Sequence, residues 1–356
     1  NIINVDLPNL NVSVYITDMI ENDLTFQNSE NIKLISIKDD TKEIFGGWKK
    51  GYFEGSESVI KIKFPSDLER IGGGACNRCQ KLDEVILPSK VNLVDKSAFE
   101  DCIELNEVVI LSEDITFKEN VFENCKNLKQ ITLNPSNNIK FDKSTFSNCL
   151  SLNHLMILQN VECIKKFDYD DYLNITQVTV PPSVTKIDKH AFSKCKKMKQ
   201  ISIPTSVTII DEGSFEGCIS LENFVIPSSI TSINKFTFKG CTKLMQITIP
   251  QSVTIIGDNS FAECSSLQEI ILSQSIESIG KRCFYDCSSL KQINIPESVQ
   301  FLGENAFEDC ISLNKIDLLC RISKINNSTF KGCKSLKKIS IPQTVTIIGD
   351  SSFEGC

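Results

Sequence analysis

Apolar and polar positions recur along this chain with a fixed period. The run Ile247-Thr-Ile-Pro-Gln-Ser-Val-Thr-Ile-Ile-Gly-Asp-Asn-Ser-Phe-Ala-Glu-Cys264 superimposes on residues 201–218 and 339–356 with nearly every apolar position in place. Cysteines fall every 23 residues, at 195, 218, 241, 264, 287, 310, 333 and 356. Three residues before each stands a phenylalanine, such as Phe215 or Phe261, and three after comes a leucine or its equivalent, such as Leu221 or Met198. Apolar residues alternate six and eight positions after the cysteine, as at Ile247 and Ile249, and a proline usually follows. Alternation at a spacing of two, bounded by proline, predicts a short half-buried strand. A second apolar pair, such as Val253 and Ile256, ends at Gly257, and Gly280, Gly303 and Gly349 fill the same slot. Glycine there is expected to permit the tight turn toward the phenylalanine.

One such unit cannot bury both of its apolar edges. Stacked copies set each column against itself and build a continuous core of leucine, isoleucine, phenylalanine and cysteine. The expected fold class is mainly β: a solenoid of stacked parallel rungs with short turns or 3-10 segments and little helix.

The first residues keep the pattern loosely. Ile2, Val5, Leu7 and Pro8 fit the strand and proline slots, and Phe26 with Ser29, then Phe53 with Ser56, fit the phenylalanine and cysteine slots. The segment 46–52, which holds the only tryptophan, Trp48, supplies extra length. The expectation is a single solenoid over 1–356, irregular over 1–52, regular from 53 onward, and irregular again near 149–195, where Tyr169 and Tyr172 take the phenylalanine and cysteine slots. The chain opens inside a repeat and closes on Cys356, without the polar caps that solenoids need, which reads as a fragment of a longer protein.

Composition narrows the partners. A net charge of −7 argues against non-specific nucleic-acid binding and against adhesion to anionic lipid, and no segment reads as a membrane span. Protein or glycan ligands are expected. Of the 16 cysteines, those in the repeat column read as buried free thiols. A cystine ladder suits parallel neighbours poorly, and Cys76 with Cys79 lacks the second pair that zinc would need. Cys163 and Cys320 lie off register and are the candidates for reactive thiols.

Catalytic material is sparse. His154 and His190 are the only histidines, and the repeat places no nucleophile beside either. No catalytic residue, cofactor or metal site is expected. Asp168, Asp170 and Asp171 lack the glycine and distal glutamate of a calcium loop, and the sequons at Asn11, Asn174, Asn326 and Asn327 matter only on a secretory route.

What the repeat creates is a surface. Residues five after the cysteine slot face outward and include Glu84, Glu107, His154, Gln200, Gln246 and Gln292, ending at Lys315 and Lys338. Two residues further on, the apolar spots Ile86, Val109, Met156, Val225 and Ile271 are expected to be exposed. Either this is a solvated sheet whose amides bond along the ladder, or a concave binding face, acidic early and basic late.

The unit Leu-x-x-Ile-x-Ile-Pro-x-Ser-Val-Thr-x-Ile-Gly-x-x-x-Phe-x-x-Cys resembles the 23-residue leucine-rich repeat of the BspA-like proteins, over nearly all the chain from Phe53 onward. The resemblance implies a leucine-rich-repeat solenoid, a non-enzymatic role, and a cell-surface protein that binds matrix or host cells. The free-thiol column instead fits an intracellular scaffold or regulator of an enzyme.

Overall fold

Among the described residues, a regular repeat folds into one rung with a long strand, a short strand and tight turns between them. The computed structural model describes residues 13–16, 34–37, 41–44, 53–134, 138–166 and 174–356, with Ser13–Ile16 described by backbone alone. Readings made on Ile2 to Pro8, Asn11, Phe26, Ser29, Trp48, Asp168 to Asp171 and Tyr172 lie outside the described residues. No helix occurs among those that are described. The mainly β solenoid of stacked parallel rungs is what forms.

The chain divides into two units, one of residues 1–158 with 172–175, the other of 159–171 with 176–356. In the first, the long strands Glu84–Leu87, Glu107–Ile110, Gln130–Leu133 and His154–Ile157 pair in parallel, so that Glu84, Glu107, Gln130 and His154 stand in register. The short strands Glu43–Ile44, Arg70–Ile71, Leu93–Val94, Ile115–Phe117 and Ile139–Lys140 form a second parallel ladder. In the second unit, the long strands Gln246–Thr248, Glu269–Ile271, Gln292–Ile295, Lys315–Leu318 and Ile339–Ser340 stack in the same way.

The interior is built from repeated columns. Phe192, Phe215, Phe238, Phe261, Phe284, Phe307 and Phe330 are fully buried. Their rings stack at 5.2–5.7 Å between centroids and within 6–14° of parallel. Each ring therefore contributes area burial plus about 0.5–1.5 kcal/mol of ring–ring contact.

The cysteine column has a second role besides filling space. Cys218 Sγ donates to the Phe192 carbonyl at 3.1 Å, Cys264 Sγ to Phe238 O at 3.2 Å, and Cys310 Sγ to Phe284 O at 3.1 Å. That carbonyl also accepts the backbone N–H of the cysteine in its own rung, as Phe238 O does from Cys241 N at 3.1 Å. The thiol thus uses the second lone pair of a buried carbonyl, which a smaller apolar residue would leave empty. Burial pushes the Cys264 thiol up to about 12 and raises that of Cys310 as well, so these two stay protonated donors.

The turns around the phenylalanine and cysteine slots take two left-handed residues per rung. The position just before the cysteine has positive φ at Asp101, Asn124, Glu263 and Asp286, and also at Gly217, Gly240 and Gly332. The position two before the phenylalanine does so at His190, Gly213 and Asn259. Gly, Asn and Asp tolerate this conformation, so they concentrate there.

Gly257, Gly280 and Gly303 have a different reason from the one expected. Their φ is not left-handed; instead the rung before them passes too close for a side chain. A Cβ on Gly280 would sit 2.5 Å from Asp258 N, and one on Gly257 would sit 2.8 Å from Lys235 N. In this slot the backbone itself donates to the previous rung, as Gly257 N does to Ile233 O at 2.8 Å. Asn234 and Asn326 stand where glycine is absent, and there the side-chain amide makes the bond, to Ile210 O at 2.8 Å and Leu302 O at 2.6 Å. The short-strand ladder is interrupted at those two rungs, between Ile209–Ile210 and Ser232–Ile233 and between Phe301–Leu302 and Lys324–Ile325.

Candidate functional site

The outward face of the long strands carries the expected surface residues, unit by unit. In the first unit, Glu84 is half-buried and takes Lys61 Nζ at 2.7 Å from the rung before. Glu107 accepts the Thr132 hydroxyl at 2.9 Å. His154 and Met156 sit on the next strand, paired with Gln130 and Thr132. Ile86, Val109 and Met156 are only half-buried rather than exposed, because neighbours in the +7 column flank them at inter-strand distance.

In the second unit, Gln200, Gln246 and Gln292 are exposed on their strands. Among the described residues their side chains make no hydrogen bond to each other or to a neighbour, so the amides are not closed into a ladder. Ile271 is 53 % exposed and Val225 is 82 % exposed. Lys315 is exposed but pairs with Asp317 two residues on, at 3.0 Å, and Lys338 lies just outside the last long strand. Glu84 is thus neutralised by the rung before it and Lys315 within its own strand.

Val225 belongs to a segment that departs from the pattern. Residues 223–226 alternate outward and inward like every other long strand, yet form no strand, and none of their backbone groups bonds to an adjacent rung. The inward residue here is Phe224 where neighbouring rungs have Ile201 and Ile247. Its ring wedges edge-on against Phe215 at 4.9 Å and Phe238 at 4.7 Å. The larger ring holds the segment out of the ladder, and Val225 is left prominent on the surface.

The other candidates take plain roles. His190 has φ 56 and stacks over Gly213, where a Cβ would lie 2.4 Å from its Nδ1; Glu216 is 3.6 Å from the same nitrogen. Cys320, a candidate reactive thiol, is buried, and burial raises it. Cys163 is half-buried, and burial followed by Asp188 pushes its thiol up, so neither is an activated thiolate. Among the described residues no group of three His, Cys, Asp or Glu side chains is placed to hold a metal ion, and no helix is long and apolar enough to cross a membrane.

Parallel rungs with a leucine-isoleucine-phenylalanine core and an exposed strand face define a leucine-rich-repeat protein. The model of the BspA type leucine rich repeat region matches residues 47–171, 162–273 and 254–356. The chain belongs to this family. A leucine-rich repeat protein from Bacteroides ovatus ATCC 8483 is 25% identical with a TM-score of 0.50, over 97% of this chain and 85% of that one. The T. pallidum leucine rich repeat protein is 30% identical over 51% of this chain and 77% of that one, with a TM-score of 0.43. A leucine rich cell surface protein from Faecalibacterium prausnitzii A2-165 is 25% identical over 87% and 88%, with a TM-score of 0.40. No curated protein matches the chain.

Proposed function

We propose that the chain is a non-enzymatic interaction module, part of a cell-surface BspA-like adhesin that binds host or matrix proteins through the outward face of its long strands. The observation that carries this reading is the second unit's row of exposed, unengaged amides at Gln200, Gln246 and Gln292, bordered by Val225 and Ile271. Polar groups without partners beside solvated apolar side chains are what a protein or glycan ligand can use. Glu84, Glu107, His154 and Met156 would extend such contacts in the first unit, and Lys315 and Lys338 at the far end of the second.

A rival reading has its own observation. All sixteen cysteines are unpaired, which suits an intracellular scaffold or enzyme regulator in a reducing compartment. Membrane-impermeant biotin labelling of intact cells that express the protein separates the two. Recovery from the labelled surface fraction is expected; complete protection would overturn the adhesin and move the search to cytosolic partners.

A further inference from the structure

A second surface, on the short strands of the second unit, carries an alternation that the binding reading does not use. Ile209, Ile255 and Phe301 point outward and are 45–49 % exposed, two repeats apart. The rungs between them put Ser232 and Ser278 at the same position, in register through Ser232↔Ile255, Ile255↔Ser278 and Ser278↔Phe301. Large apolar and small polar side chains thus alternate, with about 4.8 Å from one rung to the next.

Charge alternates in step. Three residues after each large apolar side chain stands an acid, Glu212, Asp258 or Glu304, and three after each serine stands a lysine, Lys235 or Lys281. Lys235 pairs with Asp258 at 3.1 Å and Lys281 with Glu304 at 3.2 Å within the chain. These pairs are solvent-exposed, so they leave their charges available to a facing surface.

We infer that this strip is an isologous interface with a second copy of the chain, antiparallel, about a two-fold axis that runs along the rungs midway between those of Ile255 and Ser278. A two-fold contact requires that each residue face the image of its partner. About that axis Ile255 meets the second copy's Ser278, and Ser232 meets its Phe301. The flanking column gives Asp258 against Lys281 and Lys235 against Glu304. One rung further, Ile209 meets Lys324, whose stem packs on apolar surface while its ammonium stays wet. At the ends Lys189 meets Asp350. Every facing pair is large against small or lysine, and charged pairs are opposite in sign. An axis placed on a rung instead would set Lys235 against Lys281 and Glu212 against Glu304, so like charges exclude that register. The strip is narrow, at the low end of specific interfaces, and the dimer is therefore weak and concentration-dependent.

Sedimentation velocity of the full chain over a concentration series tests this. The expected result is a rise of weight-average mass toward twice the monomer value, abolished by Ile255→Lys with Phe301→Lys. Two further variants test the charge complementarity: Lys235→Glu with Lys281→Glu, and Asp258→Lys with Glu304→Lys. Each alone is expected to stay monomeric, and an equimolar mixture to dimerise, with unchanged melting temperatures confirming folding. A wild-type chain that stays monomeric at its highest soluble concentration would overturn the proposal. So would a dimer that persists in the single-sign variants.

Discussion

Two rungs of the second unit share one polarity pattern and differ in outcome. At 246–248 the inward residue is Ile247, and the strand pairs in register with Glu269–Ile271. At 223–226 the inward residue is Phe224, and the backbone leaves the ladder altogether. Alternation decides which side chains point inward; the volume of the inward side chain decides whether the backbone can close up beside it. The short-strand slot teaches the same lesson. Glycine lets two rungs touch through the backbone at Gly257 and Gly280, whereas Asn234 and Asn326 bridge the rungs with a side-chain amide.

Breaking the regular stack should have the largest effect. Phe261→Ala removes a fully buried ring between two stacked neighbours and is expected to cost about 3–5 kcal/mol in chemical denaturation. Gly280→Ala places a Cβ against the backbone of the rung before it, which cannot yield as a flexible side chain would. The expected loss is about 1–3 kcal/mol, as for overpacking. Cys241→Ala takes away the thiol that donates to Phe215 O at 3.3 Å and leaves a small void, for about 1 kcal/mol. At Phe224 the comparison can be sharpened in the other direction. Phe224→Ile should let 223–226 rejoin the ladder, read as new amide protection at Val225 and Ile226 in hydrogen exchange.

The smallest effect concerns charge. Asp286 lies in a column with Asp309 and Glu263, and burial, then those two carboxylates, hold its carboxyl above the usual range. A raised carboxyl favours folding in its protonated form, so its contribution is full below the ordinary carboxylate range and is lost as pH rises through the folded value. Asp286→Asn is therefore expected to raise the melting temperature slightly at neutral pH and not at all near pH 3. An equal gain at both would point to the left-handed backbone there rather than to charge.

Most of the architecture was legible because it is written in columns. The phenylalanine, cysteine and leucine slots and the paired apolar positions of the strands could be read from a period of 23 and are buried along the regular stack, with Ile341, Ile348 and Cys356 of the last rung exposed. Other features escaped because they depend on distances between rungs rather than on order along one. The tight glycines serve close approach, and the left-handed positions lie elsewhere, although Gly217, Gly240 and Gly332 directly before a cysteine were the available signal. The cysteine looked like filler, since its carbonyl acceptor is 26 residues away. The break at 223–226 was visible as a phenylalanine in an isoleucine column, but its consequence depends on two neighbouring rings. On the candidate face, exposure could not be read at Ile86, Val109 and Met156, where flanking rungs cover side chains that point outward.

The most direct test of the binding face is a comparison of two variants in capture of matrix and host-cell proteins by the immobilised chain. One carries Val225→Glu with Ile271→Glu on the long-strand face; the other carries Ser265→Glu with Ser288→Glu in the turns after the cysteines. The account predicts at least a tenfold loss of capture, about 1.4 kcal/mol, for the first and little change for the second, at equal melting temperature. Loss confined to the turn variant would contradict it and move the binding surface off the long strands.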